Sequence, residues 1–228
     1  MSPTRHLPGR ALALACAWLL AACASPPPTV PWPAALHVEG APAVPAPLLE
    51  ELQCVTRIAG HALVGWHPQR AELLVAHRPS DASVAHLYTV DGPGATLRAL
   101  TTGPEPVRDG EWTPRHGRHL IYSASRGGDE AEQLYRLDEP EAGTGRRLTD
   151  PTRRHMLLGW LHTRDAMLVS SVPLDRTAAG GSRAQVETWL TRIDPQHPER
   201  AERVATLPGS GWWGGAISRD DRWLAISR

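Results

Sequence analysis

The chain has 228 residues, enough for one or two ordinary domains, and its 41% hydrophobic and 21% charged content is that of a globular protein. Lys+Arg and Asp+Glu are both 24, so the formal net charge is zero and nucleic acid is not expected as an electrostatic partner. The 20 Gly and 22 Pro favour many turns over long helices, while Phe is absent and nine Trp carry most of the aromatic content.

Arg5 and Arg10 form a short basic region before an apolar run, Ala11 to Leu20, of signal-peptide length. That run is too short to span a bilayer as a helix. Leu20-Ala21-Ala22-Cys23 resembles a bacterial lipoprotein box, which implies a diacylglyceryl group on Cys23 as the first mature residue. Ala22-Cys23-Ala24 also fits ordinary cleavage after a small-x-small pattern. Residues 1–22 are therefore expected to be a lipoprotein-type signal peptide, with lipidation at Cys23 favoured by the linker that follows. The expected location is the cell envelope, held to the membrane through the lipid. Ala24 stands where an inner-membrane retention signal would show Asp, which by analogy favours the outer membrane, facing the periplasm.

Residues 23–47 are Pro- and Ala-rich and read as an extended tether, because proline fixes φ and removes hydrogen-bond donors. At most a short helix is expected beyond it, near Leu48 to Leu52. Of the three cysteines, Cys16 lies in the signal and Cys23 is the lipid site. Cys54 has no partner in the mature chain and reads as a small buried hydrophobe.

From Leu48 onward the chain repeats. Gly65 to Arg78, Glu111 to Ser125, Gly159 to Ser171 and Ala216 to Ser227 share one plan. An apolar residue ends a strand (Trp66, Trp112, Trp160, Ile217), a polar turn follows, and an apolar strand runs around Leu74, Leu120, Leu168 and Leu224. A second element, "HLYTVD", "QLYRLD" and "WLTRID", recurs in phase, and a third, "LRALT", "RRLTD" and "ERVAT", follows it. Four short strands per repeat predict an all-β chain, a partial β-propeller of four-stranded antiparallel blades. The expected blades are 48–105, 106–152, 153–208 and a truncated 209–228, about three and a half in all. Trp66, Trp112 and Trp160 are then expected as core between blades, with carbohydrate stacking as the rival reading.

The stretch Trp112 to Asp150 resembles the propeller of exported prolyl-oligopeptidase-family serine peptidases, and Tol-type periplasmic propellers use a similar repeat. The last turn, Ser218-Arg219-Asp220-Asp221, is a drifted Ser-Pro-Asp-Gly, with Arg219 for Pro and Asp221 for Gly. The peptidase resemblance implies further blades and a C-terminal α/β-hydrolase domain as partners of this segment, with short peptides as substrates gated by the propeller. The Tol-type resemblance implies instead a propeller that binds envelope proteins and catalyses nothing.

No G-x-S-x-G elbow occurs in these residues, so no catalytic residue is assigned and the segment alone is expected to be inactive. Gly209, Gly211 and Gly214 match G-x-G-x-x-G, but no helix is expected after them, and they read as a connection into the last blade. His116 and His119 straddle a turn without further ligand residues nearby, so no metal and no cofactor are expected. Alternate loops of a meander lie on opposite faces. One face collects Arg126, Asp129, Glu130, Arg153, Arg154, Asp175 and Arg176. Dipeptidyl-type relatives of the peptidase place acidic side chains near the substrate amine. By that resemblance Asp129 and Glu130, with Arg126, form the candidate substrate-facing loop.

Overall fold

The computed structural model describes residues 26–129, 131–138, 143, 145–174 and 186–228. The signal peptide and Cys23 lie outside the described residues. The chain divides into two compact units, Met1–Ile58 and Ala59–Arg228.

In the first unit the proline-rich stretch is less open than its composition suggests. Strand β1 (Thr29–Val30) pairs antiparallel with β2 (Val44–Pro45), a two-residue ladder at which prolines are tolerated because both strands are edges. Helix α1 (Ala46–Thr56) follows. It starts inside the expected tether and outruns the short helix expected near Leu48 to Leu52, because proline is accepted in a first helical turn, where the amides have no partner anyway. No residue of α1 is buried. Cys54 is accordingly exposed, not the buried hydrophobe expected, and its thiol points back to the Glu50 carbonyl at 3.7 Å.

The second unit is built of antiparallel meanders. Blade one comprises β3 (Gly60–Trp66), β4 (Leu73–Arg78), β5 (His86–Val90) and β6 (Arg98–Ala99). Blade two comprises β7 (Gly110–Trp112), β8 (His119–Ala124), β9 (Gln133–Asp138) and β10 (Arg146–Arg147). Blade three comprises β11 (Arg153–Trp160), β12 (Met167–Pro173), β13 (Glu187–Ile193) and β14 (Glu202–Pro208). A two-stranded sheet, β15 (Trp213–Ile217) and β16 (Leu224–Ser227), follows.

Strand periodicity sends successive side chains to opposite neighbours. In β8, Leu120 and Tyr122 join Leu74, Leu87 and Trp112 in the core between blades one and two. Ile121, one residue along, turns the other way to Met167, Val169 and Ile193 of blade three. Leu158, Leu168 and Leu190 pack in the same manner against Ile217, Leu224 and Ile226.

Cross-strand pairing fixes the equivalent positions. Trp66 pairs with Leu73, Trp112 with Leu120, Trp160 with Met167 and Ile217 with Leu224. Two of these anchors lie one residue before Leu74 and Leu168. The reason is the blade-two turn: Thr113 N donates to His119 O, six residues on, whereas His67 N donates to Glu72 O and Leu161 N to Ala166 O, five on. The three Trp are thus equivalent by register but differ in cover. Trp112 is 5% exposed and Trp160 half-buried, while Trp66 is 65% exposed, against the expectation of a core residue. Trp66 lies on the face of blade one that is turned away from blade two.

The "LY" and "LT" elements are joined by a hydroxyl. Leu87 N donates to Thr101 Oγ1 at 2.9 Å and Leu134 N to Thr149 Oγ1 at 3.0 Å. Threonine thereby replaces a ladder carbonyl where β6 and β10 are only two residues long, satisfying a buried amide. Blade three differs: β14 runs seven residues and places Thr206 in an ordinary pair with Trp189.

The turns at one end of the blades are tied to each other. His67 Nε2 meets Gly117 O at 3.2 Å and Gln69 Nε2 donates to Arg115 O at 2.8 Å. Arg115 in turn donates to Asp165 Oδ1 and Thr163 O. The Asp221 carboxylate accepts the amides of His162 (2.7 Å) and Thr163 (2.9 Å) and the Thr163 hydroxyl. Asp221 has φ +58°, the turn position where Ser-Pro-Asp-Gly carries glycine; aspartate tolerates it better than most residues.

Glu72, just before β4, is 8% exposed and is held by Arg70 Nη2 at 2.7 Å and Arg98 Nη2 at 3.0 Å. Burial alone would raise its pKa, but the hydrogen bonds from Arg70 and Arg98 help outweigh it, and the carboxyl is held below the ordinary 4.5. Its contribution is therefore complete above the ordinary value and is lost as pH falls through the lower folded-state value. We expect the urea midpoint to drop below about pH 4 in the wild type. Part of this acid sensitivity should vanish in Glu72→Gln; an unchanged pH profile in that variant would refute the assignment.

Candidate functional site

The loops β4–β5 and β8–β9 and the blade-to-blade connections open on the face opposite the tied turns, as alternation requires. Of the sequence candidates there, Arg126 and Asp129 are exposed in the β8–β9 loop. Glu130, Asp175 and Arg176 lie outside the described residues. The Asp129 carboxylate is spent on its own loop: Oδ1 accepts the amides of Arg126 at 3.2 Å and Ala131 at 2.9 Å. That is an Asx-type turn, which leaves this oxygen little capacity for a substrate amine. The Arg126 guanidinium lies 5.7 Å from the Tyr135 ring centroid, and Glu105 Oε1 accepts Gly127 N at 2.7 Å. These contacts order the loop.

Arg154 is exposed as expected, but Arg153 is not on the open surface. It is 7% exposed, turned under the sheet against Trp189.

Among the grooves that the described residues form on this face, two adjoin at blade three. One, of about 440 Å³ between blades two and three, is lined by Arg108, Asp109, Glu111, Ser123, Glu132 and Met156 among others. The second, of about 380 Å³ between blade three and β15, carries Arg154, Ser171, Trp212 and Trp213. They share Glu132, His155 and Met156, so they adjoin along β11. Met156 and Trp213 expose apolar surface between carboxylates and guanidiniums. An exposed apolar centre with a charged rim is the chemistry of a protein-binding surface.

His155 lines both grooves, yet its geometry is structural. Its Nε2 contacts the Asp150 carbonyl at 2.8 Å; a carbonyl only accepts, so this nitrogen carries the proton. Burial is the main reason its pKa is held below the ordinary value, which keeps the ring neutral at pH 7. The neighbouring Ser171 Oγ accepts from Arg153 Nε at 3.3 Å and is not held by the imidazole. Serine, histidine and aspartate are close here, but no nucleophile–base–carboxylate relay connects them.

Among the described residues no group of three His, Cys, Asp or Glu is placed to hold a metal ion. His116 is exposed, and His119 Nδ1 pairs with Asp138 Oδ1 at 2.7 Å. The glycines at 209, 211 and 214 all take positive φ and lead into a strand, not a helix. Nothing in the sequence repeat pointed to Glu132, Met156 and Trp213 as one surface. They come together only because blades two and three and the β15–β16 sheet are side by side.

No protein-family model matches the chain, and no curated protein matches it. Among solved structures, a TolB from Agrobacterium tumefaciens is similar, with a TM-score of 0.51 at 17% identity. The match covers 73% of this chain and 58% of that one, so the chain spans little more than half the length of the protein it resembles. At this identity the likeness concerns the fold. Together with the antiparallel four-stranded sheets, it identifies an all-β chain carrying part of a β-propeller.

Proposed function

We propose that this chain is a Tol-type propeller of the cell envelope that binds other envelope proteins and has no catalytic role of its own. The observation that carries the reading is the adjoining pair of inter-blade grooves, with exposed Met156 and Trp213 set among Asp109, Glu111, Glu132 and Arg154. The fold-level likeness to TolB supports it. Attachment in this reading is through lipid on Cys23, in the box Leu20-Ala21-Ala22-Cys23.

Photo-crosslinking in the native cell tests the binding role. A crosslinker at Met156 or Trp213 is expected to give discrete protein adducts, whereas one at Arg219, on the tied-turn end, gives none. Equal labelling from both ends, or none from the grooves, would exclude the reading. Labelled palmitate tests the anchor: incorporation is expected in the wild type and absent in Cys23→Ala, and an unlabelled wild type would remove the lipid from the proposal.

The rival is the gating propeller of a serine peptidase, favoured by the repeat from Trp112 to Asp150. The codons after Arg228 separate the two. Further blade repeats alone favour the binding module; a frame that reaches G-x-S-x-G, then Asp and His, favours the peptidase.

A further inference from the structure

We propose that Arg153 and Arg203, stacked on one indole, form a binding site for a carboxylate group in a third cleft, between blades two and three. The inference does not rest on the Tol-type reading.

Three strands of blade three build the site. Arg153 opens β11, Trp189 lies in β13 and Arg203 in β14. The Arg153 guanidinium carbon is 3.6 Å from the Trp189 ring centroid and that of Arg203 is 4.4 Å from it. Stacking on the indole orients both planar cations without consuming their N–H groups. Arg153 donates to Ser171 Oγ (3.3 Å), Ser171 O (2.9 Å) and Glu187 O (3.2 Å), all of them uncharged acceptors. Among the described residues neither arginine has an ion pair. The carboxylate of Asp150, which also lines the cleft, accepts instead from Thr152 N at 2.9 Å and Thr152 Oγ1 at 2.8 Å.

A buried cation without a counter-ion is costly, and a like charge on the same ring adds to the cost. The pKa of Arg153 is lowered, first by burial and, among its neighbours, by Arg203, while Asp150 and Glu187 oppose the shift. The cleft is about 370 Å³ and is lined by both arginines, with Leu148, Ile193 and Ala201 as apolar wall. Two guanidiniums and one carboxylate leave a net charge of +1 at its rim. That matches a monoanion better than a phosphate dianion, which Asp150 would repel more strongly. An alkyl carboxylate, such as a peptide C-terminus, fits both the charge and the apolar wall.

Equilibrium dialysis of the full chain with radiolabelled N-acetylalanine tests this at fixed ionic strength. Saturable uptake of one molecule per chain is expected, with N-acetylalaninamide failing to compete. Arg203 is exposed, so Arg203→Gln preserves the fold and should weaken binding about tenfold or more, the loss of a charge-assisted hydrogen bond. Arg153→Gln should do the same in whatever fraction folds. The proposal is overturned by absent or non-saturable uptake, by equal competition from the amide, or by full affinity in Arg203→Gln. Tighter binding of inorganic phosphate than of N-acetylalanine would likewise overturn the carboxylate assignment.

Discussion

A polypeptide of these 228 residues is expected to self-associate, and charged substitutions in blade one are expected to reverse it. In blade two the cross-strand row Gly110–Tyr122–Tyr135 faces blade one. In blade three the equivalent row, Leu157–Val169–Thr191, faces blade two. The same row in blade one, Leu63–Val75–Tyr88, has no described blade before it, and Leu63 and Trp66 are more than 60% exposed. At the other end Trp213 and Trp223 are exposed, and β16 pairs on one side only. Fully burying a large apolar side chain is worth about 1.5–3 kcal/mol, so covering a few of these outweighs much of the entropy of association. Unpaired strand edges add a template for pairing between chains. Sedimentation velocity should show mass rising with concentration, and Leu63→Lys with Trp66→Glu should shift the chain toward monomer. A wild type that stays monomeric throughout would show that these faces are covered in solution.

The fold was legible because its physics is periodic. Alternation in β8 assigns Leu120 and Ile121 to different neighbours from sequence alone, and the recurring Trp and Leu positions set the blade length. What misled was local. The extra residue in the blade-two turn displaced two anchors by one position, since an apolar run such as Leu73-Leu74 offers two equally good choices. Proline content alone did not reveal that Thr29–Val30 finds a partner fifteen residues on, or that α1 begins at Ala46.

The candidate site was legible only in outline. Alternation of loops assigned Arg126, Asp129 and Arg154 to one face, but a formal charge does not say what a side chain is doing. Asp129 was read as available when its oxygen closes its own turn, and Arg153 was placed on the surface when its guanidinium is buried on Trp189. Glu132, Met156 and Trp213 are 24 or more residues apart in sequence and converge through packing between blades, which no local pattern encodes.

Gly117→Ala is expected to be the most damaging single-methyl change in the tied turns. Gly117 has φ +61°, a conformation that costs an L-residue about 1–2 kcal/mol. An added Cβ would also fall on the Cε1 and Nε2 atoms of His67. That imidazole cannot retreat easily: it is 5% exposed, packs edge-on to Trp112 at 4.9 Å, and contacts the Gly117 carbonyl itself. Displacing it would break the link between the turns of blades one and two and loosen the core around Trp112. The combined loss should reach roughly 3–5 kcal/mol, the sum of left-handed strain, overpacking and a buried hydrogen bond. Gly94→Ala is the control, because Gly94 has φ +76° but nothing within 4 Å of the added methyl, so it should show the backbone cost alone. His67→Ala should relieve part of the Gly117→Ala defect, since the two positions share one contact and their effects will not add. Urea unfolding of the four variants measures this. Equal destabilisation by Gly94→Ala and Gly117→Ala would mean that the His67 ring yields freely and that the turns are not coupled through it.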